Sequence, residues 1–338
     1  MSRRSRVVAL VSIVAALILG AGIYVGIDFS LAEGRSSAPP TAAIASVSTI
    51  ETQPRVVFRN TGVGSKYGLV SMVSLSDPGG TRAFTRAVCD RVYATAGKAS
   101  CLKIKRGIAT TFEAEQLDAK WKTEKTWALP GIPSRTRLSA DGKLMATTSF
   151  VFGHSYEQTG SSTATEIRQV GGRDYGNLEK FALFIDGKKV DSVEHNIWGV
   201  TFGADGNLFY ATAATGGTTY LVRGNLRSRT LTAVHVTAEC PSLSPDGSKV
   251  AYKKNTGGSS THWAIAVLDL ASDQETVLKG EIRNVDDQVE WLDGSTVLYG
   301  LSRTDEAGVS DIWAIKTNQG ARPVVFIKRA WSPSVVRN

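Results

Sequence analysis

The sequence is poor in the residue types from which most catalytic and metal sites are built. Only four histidines and three cysteines occur among its 338 residues. No GxSxG elbow of a serine hydrolase is present. The histidines are too far apart for HxH or HExxH spacing, and no CxxC pair occurs. We therefore predict no catalytic residue, no metal ligand and no cofactor from any local motif, although a ring of repeats could still bring ligands together from distant parts of the chain.

The sequence also lacks long charge runs and long helical patterns. The formal net charge is +8, yet no five basic residues adjoin one another. We therefore expect no nucleic-acid partner, because a basic run or stripe is the usual footprint of one. After residue 50 almost every segment reads as a short strand between glycine-rich turns, and only 110–122 reads equally well as helix or strand.

One long apolar run lies at the N-terminus. Residues 7–27 carry no charge and follow three arginines within residues 1–6. Such a run is long enough to span a bilayer and longer than the core of a typical signal peptide. We predict a basic cytoplasmic tip (1–6), a single-pass transmembrane signal anchor (7–27) and a flexible linker (28–54). The remaining chain would then lie on the extracytoplasmic side of the cell membrane.

Two alternatives to the anchor remain open, namely a cleaved signal peptide and a buried helix. Gly22 and Gly26 form a GxxxG pair that would let two such helices pack in a homo-oligomer. Small residues tolerated in a lone span are the simpler explanation of that pair.

The three cysteines allow one disulfide in an oxidising compartment. Cys89 and Cys101 flank a predicted hairpin turn that could bring their sulfur atoms together, which would leave Cys240 free. The alternative is three small buried apolar residues.

An Asp-Gly phrase recurs along the chain at intervals of 64, 41 and 47 residues. Its copies are LSADGKLMATTSF (138–150), FGADGNLFYATAA (202–214), LSPDGSKVAYKKN (243–255) and WLDGSTVLYGLSR (291–303). We expect each copy to form a two-residue hairpin, because Asp and Gly adopt positive φ readily. Unrelated hairpins in a sandwich would also contain Asp-Gly pairs, but not with these matching flanks.

Two further strands follow each copy, which makes four antiparallel strands per 40–50 residues, the period of a β-propeller blade. Blades 3 to 6 would start near residues 134, 197, 240 and 288, after a first blade at 55–86 and a diverged second blade at 87–129. Residues 330–336 repeat the innermost strand alone and would complete blade 1. The prediction is an all-β, six-bladed propeller over 55–338 whose C-terminal strand closes the ring.

These motifs carry a family resemblance. The segment Ser244-Pro245-Asp246-Gly247, its variants and Trp331-Ser332-Pro333 resemble the repeat of TolB-like six-bladed propellers. The segments FGHSYEQTG (152–160), WGVTF (198–202) and VDDQVEWLDG (285–294) are similar to membrane-anchored, TolB-like proteins of actinobacteria. The resemblance implies an extracytoplasmic scaffold that binds an envelope protein, a peptide or a wall polymer. The same repeat also precedes hydrolase domains in prolyl-oligopeptidase-like enzymes.

One compact carboxylate group lies beside a predicted innermost strand. Asp286 and Asp287 come just before the strand that contains Glu290, at the rim of the expected channel. They would either bind a cation or a cationic group of a partner, or hydrogen-bond the start of the strand.

A predicted insertion in blade 3, 153–178, is a second candidate binding region, because long loops on one propeller face are common binding sites. Its candidate residues are His154, Tyr156, Glu157 and Arg173. A longer solvated hairpin is the alternative. Five tryptophans on predicted strands are expected to pack blades together, and a sugar-stacking platform is the alternative. They are Trp198, Trp263, Trp291, Trp313 and Trp331.

The function that these patterns favour is non-catalytic binding through loops on a propeller face. The alternative is a propeller hydrolase or lyase of sugar or lactone substrates, with or without a divalent metal. It would use axial residues such as His154, Glu239, Asp286 and Asp287. A third possibility, a purely structural ring, would expose an apolar patch on one face.

Overall fold

The computed structural model describes residues 43–151, 162–191 and 195–337. The predicted span 7–27, with Gly22 and Gly26, lies outside these residues. No helix within them is long and apolar enough to cross a membrane. The chain divides into two units, and the described part of one is the loop 62–67, in which the Tyr67 amide donates to the Gly64 carbonyl oxygen at 3.0 Å. The other unit, 42–61 and 68–338, contains every strand described.

The strands form six sheets, each with a core of four antiparallel strands. The first blade begins with β1 (Ile44–Ala45), α1 (Val47–Ile50), β2 (Arg55–Asn60), β3 (Leu69–Ser74) and β4 (Arg82–Val88). Blade 2 contains β5 (Arg91–Ala94), β6 (Lys98–Lys105), β7 (Thr111–Asp118) and β8 (Thr123–Ala128). Blade 3 contains β9 (Ile132–Leu138), β10 (Leu144–Val151), β11 (Ser162–Gln169) and β12 (Asp174–Asn177).

A 3-10 turn (Leu178–Lys180) leads from blade 3 to blade 4. Blade 4 contains β13 (Ala182–Ile185), β14 (Lys188–Lys189), β15 (Asn196–Phe202), β16 (Leu208–Thr215), β17 (Thr218–Asn225) and β18 (Thr230–Val236). Blade 5 contains β19 (Glu239–Leu243), β20 (Lys249–Asn255), β21 (Trp263–Asp269) and β22 (Glu275–Val277). Blade 6 contains β23 (Glu290–Asp293), β24 (Thr296–Ser302), β25 (Ser310–Lys316) and β26 (Val324–Ile327), and β27 (Ala330–Val336) follows.

The last strand closes the ring as the sequence predicts. β27 pairs antiparallel with β2, with Arg55 opposite Val336 and Asn60 opposite Ala330. The sheet order of blade 1 is therefore β1-β4-β3-β2-β27, and the innermost strand comes from the far end of the sequence. The predicted six-bladed, all-β propeller is confirmed. Within the ambiguous segment 110–122, Thr111–Asp118 forms strand β7, which pairs antiparallel with β6 and β8.

The predicted flexible linker, 28–54, extends too far into the chain. Ile44 and Ala45 form a parallel pair with Arg82 and Ala83 on the outer strand of blade 1. The short helix α1 follows, with the Ser46 side chain accepting a hydrogen bond from the Thr49 amide. The side chain of Ile50 is buried in the interface between blades 1 and 2. The folded body therefore begins before residue 50, because the apolar side chain of Ile50 has a place in the core.

The predicted insertion 153–178 is also placed differently. Residues 162–169 and 174–177 are the regular third and fourth strands of blade 3, β11 and β12. The true elaboration follows them. β13 adds to the outer edge of blade 4 in parallel with β18, and β14 pairs with β13. The turn Gly171-Gly172, which reads as loop, joins two ordinary blade strands.

The hydrophobic core lies in the interfaces between neighbouring blades. Successive side chains of a strand point to opposite faces of its sheet, so each strand contributes to two of these interfaces. On β20, Val250 and Tyr252 pack with Leu221 of blade 4. Ala251, between them, packs with Trp291 and other residues of blade 6. Middle strands are therefore apolar on both faces, and each large buried side chain stabilises the fold by about 1.5–3 kcal/mol.

Three of the four Asp-Gly turns, those of blades 3 to 5, are longer than the predicted two-residue hairpins. In blade 6 Asp293 pairs with Thr296, so two residues connect the strands as predicted. In blade 5 the Ser244 amide donates to the Lys249 carbonyl oxygen (2.8 Å), so four residues connect the strands. Only the glycine, Gly247, has positive φ, at 74°. Asp246 instead accepts hydrogen bonds from the Ser244 hydroxyl, the Ser248 hydroxyl and the Ser248 amide, which lower its pKa to about 2. The aspartate recurs because its carboxylate ties the turn together.

Candidate functional site

A repeated bulge in the innermost strands directs side chains toward the ring axis. Gly199, Cys240 and Ser332 each have positive φ, and the strand register shifts beside each of them. A Cβ at Gly199 would lie 2.6 Å from the Cα of Cys240, so only glycine fits there. Bulges of this kind re-aim neighbouring side chains and are common next to binding sites. Here each bulge residue directly follows a residue that lies near the axis: Trp198, Glu239 or Trp331.

In two of the three bulged strands, the hydroxyl two residues after the bulge joins the inner strand to the next one. The Thr201 hydroxyl oxygen accepts a hydrogen bond from the Leu243 amide at 3.1 Å. The Ser334 hydroxyl oxygen accepts one from the Ala94 amide at 3.1 Å. These bonds hold the inner strands in a fixed ring, which makes the axial surface rigid.

A cavity of about 530 Å³ opens at one end of the axis. This volume lies within the range of about 300–1,000 Å³ that is typical of ligand pockets. Its lining residues come from blades 2 to 5 and from the loop before blade 6. The charged members are Arg91, Arg135, Glu239, Lys253 and Asp286, and the large apolar members are Ile132, Phe150, Trp198 and Trp263. This region is called the wide cavity.

Two ion pairs form the floor of the wide cavity. The Lys253 ammonium lies 2.5 Å from the Asp286 carboxylate and 4.3 Å from the centre of the Trp263 ring. The Arg91 guanidinium lies 3.2 Å from the Asp287 carboxylate and over the Trp331 ring. Burial and the neighbouring Arg135 guanidinium lower the pKa of Arg91 to about 10, so Arg91 stays charged at neutral pH.

Glu239 faces the same cavity with weaker partners. Its carboxylate lies 4.0 Å from the Lys253 ammonium, which is closer to Asp286. Burial raises the pKa of Glu239 above its ordinary value, with a contribution from the Asp286 carboxylate and opposition from Lys253. Glu239 is therefore the acidic group of the wide cavity that takes up a proton most easily.

A buried cluster blocks the axis below the wide cavity. The Arg137 guanidinium donates to the Glu290 carboxylate at 2.6 Å and to the Val289 carbonyl oxygen, and it lies over the Tyr93 ring. Glu290 also accepts hydrogen bonds from the Tyr93 hydroxyl (3.3 Å) and the Val335 amide (3.1 Å). Burial raises the pKa of Glu290, and Arg137 opposes that shift. These contacts join blades 1, 2, 3 and 6, and the cluster is called the axial plug.

The axial plug separates the wide cavity from a second cavity of about 350 Å³ at the other end, which Asp246 and Gly247 help to line. A void of about 20 Å³, bordered by Arg91, Arg135 and Arg137, lies beside the axial plug. A single water needs about 10–15 Å³ of such space. The two cavities are therefore separate recesses and not one open channel.

The predicted site residues divide into three groups. Glu239 and Asp286 line the wide cavity, and Asp287 lies buried at its floor. Gly300 has no Cβ to collide with the Trp331 ring, and its amide donates to Asp287 at 3.0 Å. Both aspartates thus bind cationic groups of this chain itself.

The loop candidates do not join that group in the structure. His154, Tyr156 and Glu157 lie outside the described residues. Arg173 lies at the turn between β11 and β12 over the Tyr175 ring, and it lines a separate cleft of about 100 Å³ between blades 2 and 3.

The sequence analysis missed the basic and aromatic part of the wide cavity. Arg91, Arg135 and Lys253 gave no local signal, because each comes from a different blade. Trp198 and Trp263 were expected to pack blades, yet both line the wide cavity. The useful signal was the alignment of the inner strands WGVT, ECPS and WSPS, whose first residues lie at equivalent positions before the bulge. Trp291 is buried between blades as expected, and its indole donates to the Ser242 carbonyl oxygen at 2.8 Å.

The cysteines and histidines are distributed as follows. Cys89 and Cys101 form a disulfide, and Cys240 is a buried free thiol that borders the wide cavity. The His235 ring lies 3.3 Å from the Asp273 carboxylate and 3.5 Å from that of Glu275, at the outer part of blades 4 and 5. Within the part of the chain that the structure describes, no group of three or more His, Cys, Asp and Glu is arranged to hold a metal ion.

Comparisons with known proteins agree with the geometry of the ring. No protein-family model matches the chain, and no curated protein matches it. The crystal structure of TolB from Acinetobacter baumannii is 15% identical, covering 84% of this chain and 67% of the TolB chain, with a TM-score of 0.57. A chain of the nidogen/laminin complex is 10% identical, covering 83% of this chain and 98% of that chain, with a TM-score of 0.53. At these identities the likeness concerns the fold alone, a TolB-like six-bladed propeller.

Proposed function

We propose that this protein is a non-catalytic, membrane-anchored binding propeller that engages an extracytoplasmic envelope protein or peptide in its wide cavity. A wall polymer is the less favoured ligand. The observation that carries the proposal is a recess of about 530 Å³ whose floor is fixed by ion pairs between blades. The buried Arg91–Asp287 pair fixes part of this floor before a ligand arrives, and preorganisation of this kind favours binding.

The pairing of the charged groups with one another also favours binding over catalysis. Lys253 with Asp286, and Arg91 with Asp287, neutralise each other across blades. A catalytic acid or base needs to exchange a proton with a substrate, and groups held in such pairs do so poorly. The TolB fold supports the same function by analogy at the level of fold alone.

Proximity labelling of the full chain in its native membrane tests the proposal. Phe150 lines the wide cavity and is 39% exposed, whereas Val325 is equally exposed on the outer strand of blade 6. We expect Phe150→Ser to weaken capture of a reproducible envelope protein several-fold, and Val325→Ser to leave it unchanged. Equal capture by both variants would remove the wide cavity from the function.

One observation favours a second candidate function, a propeller hydrolase or lyase of sugar or lactone substrates. Glu239, whose pKa is raised by burial, faces the wide cavity beside Lys253 and could exchange a proton with a substrate. Turnover of a sugar or lactone panel by the purified chain, abolished by Glu239→Gln, would favour the enzyme over the binding scaffold.

A further inference from the structure

Arg135 presents an incompletely bonded guanidinium to the wide cavity. Its side chain is 12% exposed. It donates to the Ser134 carbonyl oxygen at 3.1 Å and, more weakly, to the Asp286 carbonyl oxygen at 3.4 Å. The Asp286 carboxylate is 3.9 Å away, and the buried Nε has no hydrogen-bond partner. The Cys240 side chain is a further hydrogen-bond partner of Arg135. A guanidinium has five N–H donors, so part of its capacity, including Nε, is unused.

The arginine two residues further along the same strand, Arg137, has closer hydrogen-bond partners for its terminal nitrogens. Arg137 donates to the Glu290 carboxylate at 2.6 Å and to the Val289 carbonyl oxygen at 2.5 Å. Arg137 belongs to the axial plug, whereas Arg135 faces the wide cavity. The Nε of Arg137 is likewise buried without a hydrogen-bond partner, so the two arginines differ at their terminal nitrogens: Arg137 donates directly to a carboxylate, whereas the carboxylate nearest Arg135 is 3.9 Å away.

The two aspartates near Arg135 are bound more closely by other groups. Asp286 is bound by Lys253 at 2.5 Å, and Asp287 by Arg91 and the Gly300 amide. Glu239 is paired only at 4.0 Å, with Lys253, and burial favours its neutral form. With Asp287, which pairs with Arg91, the cavity has three cations and three carboxylates. Where burial keeps Glu239 neutral, one cation is left over and an added anion would balance the charge.

We infer that Arg135 binds a carboxylate of the peptide that occupies the wide cavity, next to an apolar side chain that contacts Phe150, Trp198 and Trp263. The inference rests on the proposed function and names the chemistry of its ligand. Arginine suits this role because its planar fork binds both oxygens of a carboxylate.

The remaining polar groups of the lining favour a peptide over a sugar. The Thr148 hydroxyl bonds Thr165, and the Thr163 hydroxyl donates to the Ile197 carbonyl oxygen. The side-chain oxygen of Asn196 accepts from Ser162 and from the Thr163 amide. A sugar needs many unsatisfied polar partners, and these groups are already bonded. A peptide that carries a carboxylate next to an apolar side chain needs a guanidinium and an aromatic surface, and the cavity has both.

Binding of small probes to the full chain in nanodiscs tests the inference. The probes are N-acetyl-L-phenylalanine, its amide, the dipeptide amide N-acetyl-Glu-Phe-amide, and glucuronate. We expect a carboxylate-bearing phenylalanine probe to bind at least tenfold more tightly than the uncharged amide. Tight binding of the first probe identifies a chain terminus as the source of the carboxylate, and tight binding of the dipeptide identifies an acidic side chain.

Variants of Arg135 show whether that residue is responsible. Arg135→Gln should weaken carboxylate binding by about ten- to hundredfold, and Arg135→Lys should retain part of it, because lysine keeps the charge but loses the fork. The control is Arg283→Gln, since Arg283 likewise lies within salt-bridge distance of a carboxylate, that of Glu281, but away from the wide cavity. Melting curves verify folding, and Arg135→Lys carries the test if Arg135→Gln does not fold.

Several results would overturn the inference. They are equal binding of the acid and the amide, unchanged carboxylate binding by both Arg135 variants, and Arg135-dependent binding of glucuronate alone. If no probe binds while Phe150→Ser still prevents partner capture, the carboxylate inference fails and the binding function stands. If Phe150→Ser leaves capture unchanged, the proposed function itself fails.

Discussion

At the scale of single residues, the stability of the ring depends on a buried ion pair in the axial plug. Arg137 and Glu290 are both nearly inaccessible to solvent, and each is the charged partner of the other. A buried pair of this kind adds little net stability over a matched apolar pair, but removal of one partner leaves an uncompensated charge. The plug therefore makes the stability of the ring sensitive to either residue.

We predict that Arg137→Met destabilises the protein by about 3–5 kcal/mol at neutral pH. The variant leaves the Glu290 carboxylate buried without its cation, so the pKa of Glu290, already raised by burial, rises further. A raised folded-state pKa gives stability that is full below the ordinary glutamate pKa and is lost as pH rises through the folded value. The loss should therefore shrink as the pH is lowered toward about 4. Urea unfolding at several pH values measures it.

The double variant Arg137→Met/Glu290→Gln is the control. It keeps the cavity filled but removes the unpaired charge, so it should recover at least half of the lost stability. A double variant no more stable than the single one at neutral pH would show that packing, and not the buried charge, dominates.

Single residues were also where sequence reasoning reached its limit. Glu239, Asp286 and Asp287 could be named because they adjoin a recognisable inner strand. Arg135 and Lys253 could not, since more than a hundred residues separate them in the sequence and their proximity depends on the assembly of the ring. Their partners become visible only when the ring is assembled.

At the scale of elements, the innermost strands carry most residues of the site, and β27 closes the ring by pairing with β2. β27 supplies the Trp331 ring under Arg91, the Ser334 hydroxyl that accepts from the Ala94 amide, and the Val335 amide that donates to Glu290. Removing it would expose the inner edge of β2 and remove one wall of the axis.

We predict that a chain ending at Arg329 loses cooperative unfolding and aggregates. A synthetic peptide of residues 330–336 should restore a single thermal transition. A chain ending at Val336 is the control and should unfold like the full protein, because it keeps every strand. Circular dichroism melting measures all three, and a cooperative melt of the shorter chain without peptide would contradict the prediction.

The elements that the sequence predicted well were those with a repeated turn. Four Asp-Gly copies located blades 3 to 6, and the lone Trp-Ser-Pro segment located the closure. The prediction erred where a blade turn has no aspartate, as at Gly171-Gly172, because its strands were then read as an insertion. It also erred at 44–54, where a two-residue parallel strand is too short for any pattern.

At the scale of the whole molecule, the anchor and the disulfide make one linked prediction. If the full chain is anchored with its propeller outside the cytoplasm, Cys89 and Cys101 should be oxidised in the cell, because disulfides persist in oxidising compartments. Alkylation of thiols before and after reduction, read as a gel shift in the membrane fraction, measures this.

Deletion of residues 1–30 is the control for that experiment. It should retain the chain in the cytosol with Cys89 and Cys101 as free thiols, and lower stability by about 3 kcal/mol through loss of the closed loop. Cys240 should behave identically in both forms, since it is buried. A full chain that is soluble and reduced would contradict the predicted anchor.

The pairing of β2 with β27 also governs how the protein is made. About 270 residues separate Asn60 from Ala330, its neighbour across the sheet. At roughly 5–20 residues per second, the ribosome needs on the order of 10–50 s to travel between them. During that interval the inner edge of the first blade is unpaired, and the nascent chain remains an open arc that a chaperone or a translocation channel can still hold unfolded.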